Sequence, residues 1–89
     1  MKNIDILYNL NKQYLEPIYD SCKSFYKKAY IENDNTLYSY NTKVAELIDG
    51  KPIIYNMKSK TTIRHIKEFL LQYGFEVIST KQIKEDYYK

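Results

Sequence analysis

Thr36-Leu37-Tyr38-Ser39-Tyr40-Asn41-Thr42-Lys43-Val44-Ala45-Glu46-Leu47-Ile48-Asp49-Gly50-Lys51-Pro52-Ile53-Ile54-Tyr55-Asn56-Met57 is the stretch on which the fold turns. From Thr36 to Ile48 the residues alternate. Tyr38, Tyr40, Thr42, Val44 and Ile48 fall on one face, and Leu37, Ser39, Ala45 and Leu47 on the other. A period of two is the mark of a strand. Asp49-Gly50 then separates two β-rich runs, which is the strongest short signal for a hairpin turn. Pro52 at the start of the second run suggests an edge or end position, because proline cannot donate to a ladder. Residues 36–57 are therefore read as an antiparallel β-hairpin. The side carrying Tyr38, Tyr40 and Tyr55 is expected to pack on a helix. If displayed instead, those tyrosines would be good interface anchors.

On the C-terminal side, Lys58-Ser59-Lys60 is a polar connector, and Thr61 or Thr62 is expected to cap a helix over 61–73. Gly74 stands where a helix C-terminal glycine belongs. At 100° per residue, Ile63, Ile66, Phe69, Leu70 and Tyr73 form an apolar face. Arg64, Glu68 and Gln72 lie opposite, with His65 near the edge and Leu71 on the Arg64 and Lys67 side. Residues 75–79 read as a short third strand, and Lys81 to Tyr87 as a last turn capped by Thr80.

On the N-terminal side, Glu32-Asn33-Asp34-Asn35 is a polar loop. Before it, Leu7, Leu10, Tyr14, Ile18, Cys22, Phe25 and Ala29 recur every three or four residues, which predicts an amphipathic helical segment over 4–31. Pro17 lies inside it and must kink or break the helix. The expected architecture is thus a single α+β domain over 1–89: a kinked or broken N-terminal helix, an antiparallel hairpin, a second helix and a short third strand.

Eighty-nine residues limit the chain to one modest core. With 44% hydrophobic and 16% aromatic residues, it is too apolar for a disordered chain. Lys, Asn, Ile and Tyr make up 42 of the 89 residues. All four have AT-rich codons, so the eleven tyrosines are weak evidence for a stacking surface. Cys22 is alone and cannot form a disulfide within the chain, which fits a reducing, cytoplasmic setting. No apolar run is long enough to span a bilayer, and Asp5 and Asn9 interrupt any signal-peptide core.

The chemistry-bearing inventory is thin. His65 is the only histidine, with no acid or thiol at a suggestive spacing. The plain reading is a surface histidine and a buried thiol rather than a nucleophile pair. His65 and Glu68 share a helix face but do not make a closed metal site. Gly50 and Gly74 have structural duties, so no phosphate loop exists. No catalytic residue, metal or cofactor is expected, and the chain is read as a binding protein rather than an enzyme. Charge is more informative. Residues 1–57 balance to zero, so the whole net charge of +3 falls in 58–89. Lys58, Lys60, Arg64 and Lys67 are interrupted by no acid and enter a helix N-terminus, which favours anions. With Leu71 beside them, they are the first candidate surface for a partner or a phosphate backbone. Tyr38, Tyr40 and His65 are second candidates.

Two segments carry a resemblance. Leu37-Tyr38-Ser39-Tyr40-Asn41-Thr42-Lys43-Val44-Ala45, then Ser59-Lys60-Thr61-Thr62-Ile63-Arg64-His65-Ile66-Lys67-Glu68-Phe69-Leu70, resemble a family of small uncharacterised phage or prophage proteins. That family's pattern is roughly S-Y-x-T-x-V-A followed by S-x-T-T-x-x-H-x-x-x-F-L. The match covers about residues 37–75 and leaves the N-terminal segment outside. The resemblance implies a phage origin, which agrees with the codon bias, and imports no catalytic mechanism. It singles out Tyr40, Thr42, Thr62 and His65, with Thr62 as a helix cap, Thr42 as a hairpin pairing residue and His65 as a bridge between helix and sheet. Small phage proteins without catalytic residues commonly bind a host macromolecule stoichiometrically. The expectation is an accessory protein of that kind, most specifically an anti-CRISPR or other anti-defence inhibitor, acting on a host protein or ribonucleoprotein complex. The alternatives are a nucleic-acid-binding accessory protein using the basic helix start, and a homodimer.

Overall fold

A computed structural model of the protein describes residues 12–88. Five antiparallel strands come first: β1 (Lys12–Tyr14), β2 (Ala29–Glu32), β3 (Thr36–Ser39), β4 (Thr42–Ile48) and β5 (Lys51–Ile54). Two helices follow, α1 (Lys60–Gln72) and α2 (Thr80–Asp86). Strand order in the sheet is the order in the chain, so the sheet is a meander. The Asp49-Gly50 turn is present, with both residues at positive φ (53° and 76°). That is the left-handed backbone of the tightest hairpin turns, which glycine adopts without strain. A second two-residue turn, Tyr40-Asn41, joins β3 to β4, also with positive φ at both positions.

The helix-first reading is overturned. Within 4–31, residues 12–14 and 29–31 belong to strands, and the stretch between them is irregular; residues 4–11 lie outside the described residues. The residues whose spacing imitated a helix have unrelated settings. Phe25 dips into the core from the irregular stretch, while Ala29 alternates with Ile31 in a strand and the buried residue beside Tyr14 is Leu15. Ile18, on the supposed apolar stripe, is 71% exposed. Pro17 neither kinks nor breaks a helix here; it sits in the irregular segment. The short strand expected at 75–79 is also absent. The place it would take beside β5 is filled by the chain end: the Ile54 amide donates to the Tyr87 carbonyl at 2.9 Å, and Ile54 bridges Tyr88.

One bulge sets the sheet's faces. Leu37 opposes Ala45 but Tyr38 opposes Lys43, which leaves Val44 as the extra residue. Val44 and Ala45 are consequently both buried, whereas strict alternation had placed Val44 with Tyr38. The core lies between one sheet face (Ala29, Ile31, Leu37, Ala45, Ile54) and the helices, which supply Ile66, Phe69 and Leu70 from α1 and Ile83 from α2.

Helix α1 starts one residue before the range read from the sequence and has clear stops. Ser59, not Thr61 or Thr62, is its N-cap, and its hydroxyl accepts the Thr62 amide at 3.0 Å. At the other end the Gly74 amide donates to the Leu71 carbonyl and the Phe75 amide to the Leu70 carbonyl. These two bonds form a Schellman motif with Gly74 at φ 85°. Ser79, rather than Thr80, caps α2.

Candidate functional site

The sheet's other face carries no helix among the described residues. Strand pairing runs Tyr14, Tyr30, Tyr38 and Lys43 across it in one row, and Lys12, Glu32, Thr36, Glu46 and Ile53 in the next. Tyr30 and Tyr38 stack, with ring centroids 4.9 Å apart and planes within 8°. Lys12 Nζ sits 4.3 Å over the Tyr30 ring, and Lys43 Nζ 5.2 Å over Tyr55. Lys43 also pairs with Glu46 at 2.6 Å, and Glu46 accepts the Tyr55 hydroxyl at 2.7 Å. The Lys43 ammonium, and then the Tyr55 hydroxyl, hold the Glu46 carboxyl below its usual range. Burial first, and then Glu32, raise the Tyr38 phenol. The face is a ladder of tyrosines with lysines and glutamates set among them.

The irregular segment between β1 and β2 is clasped to α1. Glu68 is 1% exposed. Its carboxylate accepts the backbone amides of Ile18 (2.8 Å), Tyr19 (3.1 Å) and Asp20 (2.8 Å), plus the Gln72 side-chain amide at 2.6 Å. In a helix those three amides would bond to carbonyls four residues back; here a side chain some fifty positions away does it instead. Burial raises the Glu68 carboxyl, but the Gln72 amide and the three backbone amides together outweigh it, and it titrates below its ordinary value. Gln72 reaches back to the Glu16 carbonyl at 2.7 Å. Arg64 completes the clasp with two bonds to the Asp20 carboxylate, one of them Nε to Oδ2 at 3.0 Å. Arg64, Glu68 and Gln72 are the row that sequence alone assigned to solvent. The irregular segment lies over Glu68 and part of Gln72, while Arg64 stays exposed at its edge.

Above the clasp is a polar trio. His65 Nδ1 lies 2.8 Å from Ser39 Oγ, and Ser39 Oγ lies 3.1 Å from Thr62 Oγ1. All three residues are buried, His65 completely. The expectation of a surface histidine is corrected: His65 bridges helix and sheet. A signal for this was present, since His65 stands three after Thr62 and four before Phe69, on one helical row. Burial, and then Arg64, push the imidazole below its usual pKa, with Asp20 opposing, so it is neutral at pH 7. Its other nitrogen, Nε2, is buried and has no hydrogen-bond partner among the described residues.

Beside the trio lies a cavity of about 250 Å³, lined by Cys22, Phe25, Tyr26, Tyr40, Arg64 and His65 among others. Phe25 meets His65 edge-on at 4.6 Å, and Tyr40 lies 6.0 Å from it. Burial, and then the nearby Asp20 carboxylate, push the Cys22 thiol up, so it is no activated nucleophile.

The residues singled out from the sequence therefore divide. Tyr40, Arg64 and His65 converge on the cavity. Tyr38 belongs to the open sheet face. Lys58 and Lys60 are exposed at the start of α1, while Lys67 and Leu71 are only half-buried and line neither feature. The acid-free basic strip is weaker than the linear sequence shows, because Asp20 already engages Arg64. Thr42 pairs with Ser39 across the hairpin end, and Thr62 joins the buried trio rather than capping the helix. Among the described residues, no group of three or more His, Cys, Asp or Glu side chains is placed to hold a metal ion. No described helix is long and apolar enough to cross a membrane.

Meander, clasped segment and helix pair together define a helix-backed antiparallel sheet with one aromatic face that no described helix covers. Residues 14–86 match the model of DUF8033, a family of unknown function, and the chain belongs to that family. Comparison with the curated proteins and with the solved structures gave no match.

Proposed function

We propose that the protein acts by stoichiometric binding to a host macromolecule, and that the tyrosine ladder of the open sheet face is its interface. The observation that carries this is the Lys12–Tyr30–Tyr38 stack on a face with no described helix over it. Tyrosine offers large contact area for little conformational entropy, and it is enriched where proteins meet. The stack is preorganised, so little further ordering is required on binding.

The charge balance favours a protein partner over nucleic acid. Glu32 and Glu46 stand among Lys12 and Lys43, and Lys43 is already paired. A phosphate backbone is favoured by clustered free cations, whereas here Lys43 is paired and Lys12 lies over the Tyr30 ring beside Glu32. The resemblance to phage proteins makes a host protein the partner class and an anti-defence inhibitor of the anti-CRISPR kind the most specific form of the reading. The basic helix start, with Lys58 and Lys60, carries the rival nucleic-acid reading.

A tagged-protein capture from host lysate, run with three proteins in parallel, separates the two. Wild type and the Lys58→Ala/Lys60→Ala double variant should recover the same host protein, and Tyr30→Ala/Tyr38→Ala should lose it. Recovery that survives loss of both tyrosines refutes the sheet-face reading. Oligonucleotide binding that weakens steeply with salt, and disappears in the lysine variant, would install the rival.

A further inference from the structure

The cavity beside His65 is not part of the tyrosine ladder, and its rim is built in an unusual way. Phe25 to Lys28 form a tight turn closed by the Lys28 amide on the Phe25 carbonyl at 2.9 Å, with Tyr26 and Lys27 at φ 53° and 60°. Tyr40 and Asn41 form the β3–β4 turn at φ 53° and 65°. The two turns are joined, since the Tyr40 amide donates to the Lys28 carbonyl at 2.8 Å. Each turn thus places a tyrosine at the corner position where the left-handed backbone favours asparagine, aspartate or glycine. Bulky residues held there are strained, and such strain collects at functional sites. Burial does not explain the choice: Tyr26 is 74% exposed and Tyr40 52% exposed.

What the two corners flank has the character of a ligand site. Its walls are aromatic, with Phe25 beside the two tyrosines. Its lining includes His65, wholly buried, whose Nε2 has no hydrogen-bond partner among the described residues. Native proteins leave few buried polar atoms unpaired, and each calls for a reason. Lys28 and Arg64 are the charged lining groups, Arg64 being engaged by Asp20, and among the described residues no carboxylate lines the cavity. At about 250 Å³ it is smaller than the roughly 300–1,000 Å³ of sites for drug-sized ligands, so it has room for about one ring system.

We propose that this cavity is a nucleotide site: a base held between Tyr26 and Tyr40, its polar edge towards His65, its phosphate towards Lys28. Lys28 at the rim selects an anion, the two lining tyrosines select a flat ring, and a nucleotide supplies both. A free mononucleotide and one residue of a single strand share this chemistry. Bases stack on aromatic side chains whatever their sequence, as in single-strand-binding proteins.

The test titrates the folded protein with AMP, GMP, CMP and UMP, the matching nucleosides, inorganic phosphate and a short single-stranded oligonucleotide. Binding is read from backbone amide shifts of 25–28, 40 and 64–65 and from the His65 Nε2 nitrogen shift. At least one monophosphate should shift these signals saturably. Its nucleoside should bind about tenfold or more weakly, and Lys28→Gln should close that gap. Tyr26→Asn is the decisive variant. It puts a residue suited to the left-handed corner in place of the tyrosine, so its melting temperature should equal or exceed wild type, while nucleotide affinity falls about tenfold or more. An oligonucleotide that binds no tighter than the monomer assigns the site to free nucleotides; one that binds tighter assigns it to a strand. The proposal fails if no monophosphate or oligonucleotide moves the cavity signals. It fails equally if phosphate alone reproduces the shifts, if N-acetyl-tryptophanamide fills the site and nucleotides do not, or if Tyr26→Asn unfolds the protein or keeps full affinity.

Discussion

Glu68→Gln tests the clasp, because it removes a charge and leaves size almost unchanged. The carboxylate accepts three backbone amides and the Gln72 amide. Hydrogen bonds to a charged group contribute about 1.5–3 kcal/mol each in favourable settings, against about 1 for neutral ones. A glutamine keeps one acceptor oxygen, which can serve two of the four donors with neutral bonds. Its own amide then faces the remaining donors, and a buried donor without an acceptor costs about 1–3 kcal/mol. The expected loss is about 3 kcal/mol, from a total that for a domain of this size lies near the lower end of about 5–15 kcal/mol. At about 4–8 °C per kcal/mol for a small domain, the melting temperature should fall by about 12–24 °C. Urea unfolding followed by circular dichroism measures the loss. Amide exchange at Ile18, Tyr19 and Asp20 locates it, and should rise more than at β3 and β4. A change under about 0.5 kcal/mol, or one spread evenly over the sheet, would show that the segment is held by its apolar contacts at Leu15 and Phe25 and not by Glu68.

Two further predictions concern stability. Acid should destabilise the protein in two stages. His65 has a lowered pKa when folded, so its contribution is complete above about 6.5 and declines as pH falls below that value; the lowered Glu68 carboxyl contributes fully above about 4.5 and declines below it. Urea midpoints measured from pH 8 to pH 3 should show both declines, and Glu68→Gln should shrink the lower one to the share that the lowered Asp20 and Glu46 carboxyls contribute. Gly74→Ala meets no steric obstacle, since nothing lies within 4 Å of the added carbon, yet it forces alanine to φ 85°. The loss should be about 1–2 kcal/mol by urea unfolding, and a neutral result would mean that the helix end relaxes out of the Schellman geometry.

The legible part of the fold was the part governed by local rules. Asp49-Gly50 and Gly74 are residues whose backbone freedom fixes a turn and a helix end, and α1 has an apolar row, although its cap is Ser59 and not the threonine read from the sequence. Residues 12–31 were illegible for the opposite reason. The irregular segment keeps its shape through Glu68, and no local signal announces a bond to position 68. One of its buried residues, Phe25, happens to fall at helical spacing from Ala29 of the next strand. The same distant contact disguised the polar row of α1, which sequence alone can only assign to water. Of the candidate site, Tyr40, Arg64 and His65 were singled out from the sequence, while Tyr26 was not. Its placement depends on a left-handed corner that tyrosine seldom occupies, so propensity argues against finding it. The display of Tyr38 and Tyr55 turned on where the helices pack, which alternation within strands cannot decide.

The in-order sheet has a consequence for how the molecule assembles. Strands β2 to β5 are joined by connections of two or three residues. Each pairing therefore closes a short loop, with little chain entropy lost at each step, and proteins rich in such local contacts reach the native state quickly. During synthesis, these four strands can pair as they leave the ribosome. The Glu68 clasp spans about fifty residues and must wait for α1 to emerge. A nascent chain halted before α1 would hold its tyrosine ladder already formed, while its apolar underside and its irregular segment still lacked the helix that covers the one and grips the other.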